Sequence, residues 1–239
     1  DNLIVEDNVA HETLGHCYAV RDGKGNALRS NLGAVTRKAA VDVPGESDST
    51  DPATFYVGSA VGNVWTNNVA GGSQSAGFLI DTADSDAFGG FDGNVAHSNL
   101  VAGFDTSESG YKPYSAGVPV PLENVRAFRN MGAGIRLRSS VNVELRGGYA
   151  ADSRDGVLFW RGCDDVAVDG MSIAGQTSVY RDISNIPGAP KLCTGLSYGP
   201  DVGGVRVHPD NAGGEAGVTV RDVSFSGFDV GFGCQKPSG

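Results

Sequence analysis

The sequence predicts an all-β chain, a right-handed parallel β-helix of roughly nine to ten coils with projecting loops. Three observations carry this expectation. A short motif recurs: Asn or Val, a small residue, then about seven positions later a Gly followed by an apolar residue, with a repeat of about 22 to 30 residues. Strand signals are frequent but short, and no window holds apolar residues at helical spacing over three turns. Few Asn-Gly or Asp-Gly pairs stand where the hairpins of an antiparallel sandwich or propeller would need them.

The motif copies run in order along the chain. Asn8-Val9-Ala10 leads to Gly15-His16, Asn68-Val69-Ala70 to Gly77-Phe78, and Asn94-Val95-Ala96 to Gly103-Phe104. Val125-Arg126-Ala127 leads to Gly134-Ile135, Gly148-Tyr149-Ala150 to Gly156-Val157, and Val223-Ser224-Phe225 to Gly231-Phe232. Between them, Val141-Asn142-Val143-Glu144-Leu145 and Val218-Thr219-Val220-Arg221 alternate apolar and polar residues, as half-buried strands do. Strands this short are stable only when stacked, each coil pairing its backbone with its neighbours at about 4.8 Å. Inward ladders then follow: Val9, Val69, Val95 and Val125 at one level, and Ala10, Ala70, Ala96, Ala127 and Ala150 at the next. Asn at a coil corner is expected to be left-handed and to bond to its copy in the next coil.

Three segments break the period and read as loops: 39–54, which is acidic, 105–121, which carries Tyr111 and Tyr114, and 176–202, which carries Tyr180 and Tyr198. Loops on a rigid scaffold carry a large share of binding groups, and exposed aromatic rings stack on sugars. The whole of 1–239 reads as one domain. It opens on Asp1 in the middle of a coil without a secretory leader, which reads as an excised piece of a longer extracellular protein. No run of eighteen apolar residues offers a membrane span.

A formal charge of −10 argues against nucleic acid as a partner. The charge is segregated. Seven arginines lie from 126 to 161 against Glu144, Asp152 and Asp155, whereas residues 81–108 hold six acids and no Lys or Arg. Arg126, Arg129, Arg136 and Arg138 are thus candidate contacts for a polysaccharide or a glycoprotein glycan, with Tyr111 and Tyr114. The four cysteines allow two disulfides. Cys193, in a Pro-rich loop, would pair with Cys163 or Cys234, while Cys17 reads equally well as a buried free thiol.

His16 stands at the Gly-apolar position that Phe78, Phe104, Ile135 and Val157 occupy elsewhere, so a titratable ring replaces an apolar one. It is a candidate general acid or base, with Asp22 to orient it; a buried ring bonded to the next coil is the alternative. His97 and Asp105 flank the strand at Gly103-Phe104, and Asp22, Asp81 and Asp105 end comparable strands. Carboxylates from successive coils are what a glycosidase would need, although a turn residue is the commoner role for each. No cofactor is called for. The acidic turns Asp152–Gly156 and Cys163–Asp165 offer oxygens to calcium but lack the spacing of a dedicated loop. Zinc spacings, phosphate loops and a Gly-x-Ser-x-Gly elbow are absent.

The stretch from Asp7 to Gly23, followed by Ser30-Asn31-Leu32-Gly33-Ala34-Val35-Thr36-Arg37, resembles the β-helix region of the G8-domain cell-surface family, which includes the cell-migration-inducing hyaluronan-binding, transmembrane protein 2 and fibrocystin-like proteins. The resemblance continues in Asn67–Phe78, with an extra Gly in Ala70-Gly71-Gly72-Ser73-Gln74, in Asn94–Gly103 and in Ala127–Asn130. It thins after residue 160. It implies an extracellular or cell-surface β-helix connected with polysaccharide and, in some members, with hyaluronan binding or depolymerisation. The G8 module that normally precedes the β-helix lies outside this sequence, and the loop after Arg37 is short for transmembrane protein 2, so enzyme activity does not carry over with the resemblance. Three functions compete: a carbohydrate-binding or scaffolding module, a polysaccharide hydrolase or lyase, and a structural segment whose coil ends meet flanking domains or other copies.

Overall fold

The computed structural model describes residues 1–39, 51–59, 61–82, 88–108, 110–113, 120–175, 203–208 and 217–228. They form three sheets in which the strands pair in parallel, each joining one coil to the next. The first sheet stacks β1 (Ile4–Glu6), β4 (Ala27–Arg29), β7 (Asn63–Thr66), β10 (Phe88–Asp92), β13 (Val120–Glu123), β16 (Val143–Arg146), β19 (Val166–Asp169) and β22 (Val218–Arg221). The second stacks β2 (Val9–His11), β5 (Leu32–Ala34), β8 (Val69–Gly71), β11 (Val95–His97), β14 (Arg126–Phe128), β17 (Tyr149–Ala151), β20 (Ser172–Ala174) and β23 (Ser224–Ser226). The third stacks β3 (Tyr18–Val20), β6 (Ala53–Val57), β9 (Ala76–Ile80), β12 (Ala102–Thr106), β15 (Ala133–Arg138), β18 (Asp155–Trp160) and β21 (Gly203–Val207). The chain is a parallel β-helix.

The described residues make eight coils, some of them longer than the repeat length suggests. Equivalent corner asparagines are 23, 37 and 26 residues apart in the first four coils. The extra length is localised. It enters between the second and third sheets (34 to 53 and 174 to 203) or leaves after the third sheet (80 to 88, 106 to 120 and 207 to 218). Every long connection therefore borders the third sheet. Of the expected loops, 40–50, 114–119 and all of 176–202 fall outside the described residues.

Alternation decides what faces in. Ala70, Ala96, Ala127 and Ala150 stack in register and are wholly buried, which is the expected alanine ladder, with Gly33 in the second coil. The valine ladder needs correcting. Neighbours in a strand point to opposite faces, so Val9, Leu32, Val69 and Val95 look outward, and Val9 is 70% exposed. Their level continues into Arg126, which places Val125 opposite Asn94. The small residues of the second sheet leave room for large ones opposite. Leu28, Trp65, Phe91, Leu122 and Leu145 come from the first sheet, and Phe55, Phe78, Phe104 and Ile135 from the third.

Tyr18, Phe55, Phe78 and Phe104 form a stacked column with ring centroids 4.8, 4.6 and 4.9 Å apart. Tyr18, and not His16, is therefore the first coil's copy of the motif's apolar residue. The Gly before it has a steric cause: a Cβ on Gly103 would lie 2.6 Å from the Gly134 carbonyl oxygen and 2.8 Å from Asn130 Nδ2.

The corner between the first and second sheets carries a left-handed residue in every coil, and two (Gly147 and Gly148) in the sixth. Asp7, Ser30, Asn67, Asn124 and Asp222 have φ of 56, 52, 55, 49 and 52°, with Gly93, Gly147 and Gly170 completing the set. Asn67 and Asn124 are thus left-handed as expected, whereas the asparagines that bond from coil to coil follow these residues and are not left-handed. Asn8, Asn31, Asn68 and Asn94 form a ladder in which each Nδ2 donates to the next Oδ1 at 3.2, 3.0 and 3.1 Å. A second rung pairs Asn99 Nδ2 with Asn130 Oδ1 at 2.9 Å at the following corner.

The cysteine expectation is also corrected. Cys17 and Cys163 are free thiols. Cys163 is buried, donates to the Leu137 carbonyl at 3.3 Å, and has its pKa pushed up by burial. Cys193 and Cys234 lie outside the described residues.

Candidate functional site

In each third-sheet strand, the residues one and three places after the motif's apolar residue point outward. The first level reads Tyr56, Leu79, Asp105, Arg136, Leu158 and Arg206. It is largely covered: Asp105 is 3% exposed and Leu158 1%. The second level is more open and reads Arg21, Gly58, Asp81, Ser107, Arg138, Trp160 and His208. Its register is held by backbone bonds from Gly58 to Val20, Asp81 to Val57, Ser107 to Ile80 and His208 to Phe159. Over seven coils it spans about 29 Å. Five long connections border it.

Charge on this face is organised around Asp105. Arg136 closes on it with Nε at 2.9 Å and Nη2 at 2.6 Å, and Arg138 Nη2 adds a bond at 3.1 Å. Arg138 Nε donates to the Thr106 carbonyl at 2.7 Å, and Glu108 bridges Arg138 Nη1 to Arg161 Nη1 at 3.2 and 2.9 Å. Burial works against the Arg136 charge, but the bond and charge of Asp105, with the charges of Glu108 and Asp51, carry its pKa above the ordinary value. Trp160 is half-buried and stacks on His208, with centroids 4.2 Å apart and planes 8° apart. Tyr56 donates to Asp81 at 2.6 Å, and the Arg21 guanidinium lies 5.6 Å from its ring centre.

The proposed acid-base residues do not converge. The Ala53 N–H donates to His16 Nδ1 at 2.9 Å, and the His16 ring packs 4.7 Å from Tyr56, which is the bonding to the next coil that was the alternative reading. Asp22 is exposed past the far end of β3, six residues and up to about 20 Å along the strand direction from His16. Asp105 belongs to the third sheet and His97 to the second. His97 stacks on Phe128 at 4.9 Å, and burial, then the Arg129 charge, lower its pKa. The arginines also part company, because each coil turns the chain through three faces. Arg126 and Arg129 go with the second sheet, while Arg136 and Arg138 stay on the third. Tyr111 is fully buried against Phe88, so it is a core residue and not an exposed sugar contact. Tyr114 lies outside the described residues. Tyr56, Trp160, Arg206 and His208 were missed, although counting outward from the Gly-apolar motif would have found them.

The acidic turns have partners within the protein. Asp164 Oδ1 accepts the N–H groups of Asp165 and Gly217 at 3.0 Å each. Asp155 is fully buried, with Arg206 Nη2 at 2.8 Å and Arg154 Nε at 3.1 Å from its Oδ2. Burial raises its pKa despite the lowering influence of both arginines. Between the ordinary carboxylate value and the raised one, the folded state keeps a proton that the unfolded chain has released. Stability therefore falls as pH rises through that window. Asp155→Asn is expected to flatten this slope, as thermal melts between about pH 4 and pH 7 would record.

Residues 1–104 match the family model described as CEMIP beta-helix. A zebrafish (Danio rerio) "Cell surface hyaluronidase" is 30% identical over 141 residues, covering 43% of this chain and 10% of the relative. A human "Cell surface hyaluronidase CEMIP2" is 26% identical over 174 residues, covering 54% of this chain and 12% of the relative. The matched segment thus spans about a tenth of either relative's length. The stacked parallel coils and these matches together make the chain similar to the CEMIP β-helix over residues 1–104.

Proposed function

We propose that this chain is a polysaccharide-binding β-helix module of an extracellular or cell-surface protein, and that the outer face of its third sheet is the binding surface. The observation that carries this reading is the open row Arg21, Asp81, Arg138, Trp160 and His208, rising coil by coil between the long connections. A linear glycan laid along the solenoid axis meets hydrogen-bonding and aromatic groups at a repeat set by the coils. The relatives are named as cell-surface hyaluronidases, which makes hyaluronan the first ligand to try.

Hydrolysis is the second reading. Asp81 and Asp105 face outward on adjacent coils, about 8 Å apart at the backbone, within reach of an inverting pair. Both carboxylates are already engaged, Asp81 by Tyr56 and Asp105 by two guanidinium groups, so neither is set up to donate a proton. Binding is therefore the better supported function. The test is calorimetric titration with hyaluronan, chondroitin and cello-oligosaccharides, with product analysis in parallel. Trp160→Ala is expected to weaken binding roughly tenfold. Arg126→Ala, on the second sheet, is expected to leave it unchanged. Equal loss in both variants, or binding to no glycan, would remove the third-sheet face from this role. Glycan cleavage abolished by Asp81→Asn would instead establish the enzyme.

A further inference from the structure

A pocket of about 150 Å³ opens beside this row across the third to fifth coils, lined among others by Asp51, Ser75, Leu79, Asp105, Arg136 and Arg138. Two arginines in a pocket invite an anion, and the geometry argues otherwise. A carboxylate is gripped by a guanidinium through two parallel N–H groups. On Arg136 that fork, Nε with Nη2, is already closed on the buried Asp105. On Arg138, Nε is committed to the Thr106 carbonyl, Nη2 to Asp105 and Nη1 to Glu108. Asp51 adds a second negative charge against the two positive ones, and its own partner is Lys38 at 3.1 Å. The pocket is charge-compensated before a ligand arrives, and part of its wall is apolar.

We propose that this pocket is the subsite for an uncharged pyranose ring, and that Asp105 makes it so by closing the Nε–Nη2 fork of Arg136, taking Nη2 of Arg138 and offsetting their charge. The inference rests on the polysaccharide-binding reading. Leu79 faces the C–H side of the ring, and the Asp51 carboxylate accepts from its hydroxyls. In a glycan that alternates acidic and neutral sugars, the neutral one enters and the uronate stays outside, which fixes the chain's phase along the coils.

The test is saturation-transfer NMR with a hyaluronan hexasaccharide on the full chain, backed by calorimetry. In the wild type, the ring and acetyl protons of N-acetylglucosamine should receive more saturation than those of glucuronate. Leu79→Trp, which fills the pocket, and Asp51→Ala, at an exposed position that leaves folding intact, should each lower affinity, by roughly tenfold and threefold. Asp105→Asn should gain what the wild type lacks: salt-sensitive binding of free glucuronate and inorganic sulfate, abolished again by adding Arg136→Ala. Preferential saturation of glucuronate in the wild type would overturn the assignment, as would unchanged affinity in both pocket variants or no anion binding in folded Asp105→Asn. Failure of the wild type to bind any oligosaccharide would instead strike at the binding function itself.

Discussion

Asn68→Ala is expected to lower the unfolding free energy by about 3–5 kcal/mol, through loss of partners for several buried polar groups at once. Asn68 is fully buried and holds two neighbours together. Its Oδ1 accepts from the N–H and Nδ2 of Asn31 at 3.1 and 3.0 Å, and its Nδ2 donates to the Leu28 carbonyl at 2.9 Å and to Asn94 Oδ1 at 3.1 Å. Alanine would leave the Asn31 N–H and one Asn31 Nδ2 hydrogen unpaired in a closed corner and remove a donor from the Leu28 carbonyl, each costing about 1–3 kcal/mol before relaxation. Asn94 Oδ1 keeps the Asn68 N–H at 3.0 Å, and Asn31 Nδ2 keeps the Val5 carbonyl at 2.9 Å. Asn68→Asp separates shape from polarity. It keeps the size and the acceptor but loses the donor and buries a charge, so its loss should be larger near neutral pH and shrink on acidification. Denaturant unfolding measures both, and a loss below about 1 kcal/mol for the alanine variant would mean the ladder is not a source of stability.

Phe78→Ala is expected to cost about 3–5 kcal/mol, the range for deleting a fully buried aromatic side chain. Its ring lies between Phe55 and Phe104 at 4.6 and 4.9 Å and meets the edge of Phe91 at 5.8 Å, with no exposed surface. Position adds to the effect. Each coil of a solenoid touches only its neighbours, so a gap in the third coil weakens the coupling between both halves of the stack. The transition should broaden as well as shift. Phe225→Ala, at a ring that is 53% exposed in the last described coil, should cost under about 1 kcal/mol and leave the slope intact.

The fold was legible because a solenoid repeats its constraints. Gly before an apolar residue recurs at Gly77, Gly103 and Gly134 for one steric reason, and Ala70, Ala96 and Ala127 recur because one wall of the interior is narrow. What misled was phase. His16 follows a Gly, but the Gly that counts is the one whose Cβ would strike the next coil, and Gly15 has nothing within 4 Å of that position. Counting from Tyr18 instead puts Arg21 on the open row. Charge read along the chain also concealed the site. Arg126 and Arg136 are close in sequence, yet they occupy different sheets, and the acidic Asp105 proved to be the partner of the arginines it had been contrasted with. Trp160 gave no signal of its own; only its place three residues after Val157 distinguishes it from a core aromatic.

Confining every long excursion to the borders of one sheet separates two tasks that most folds must trade against each other. The first two walls, joined by tight corners, have no slack to give, since an added residue there would push each asparagine out of reach of its copy. The remaining wall can gain or shed whole segments, and the pairing of Ala34 with Gly71 and of Ala53 with Ala76 stays as it was on either side of such a change. The segments carried on that wall can thus be exchanged while the spine that bears them keeps its pitch.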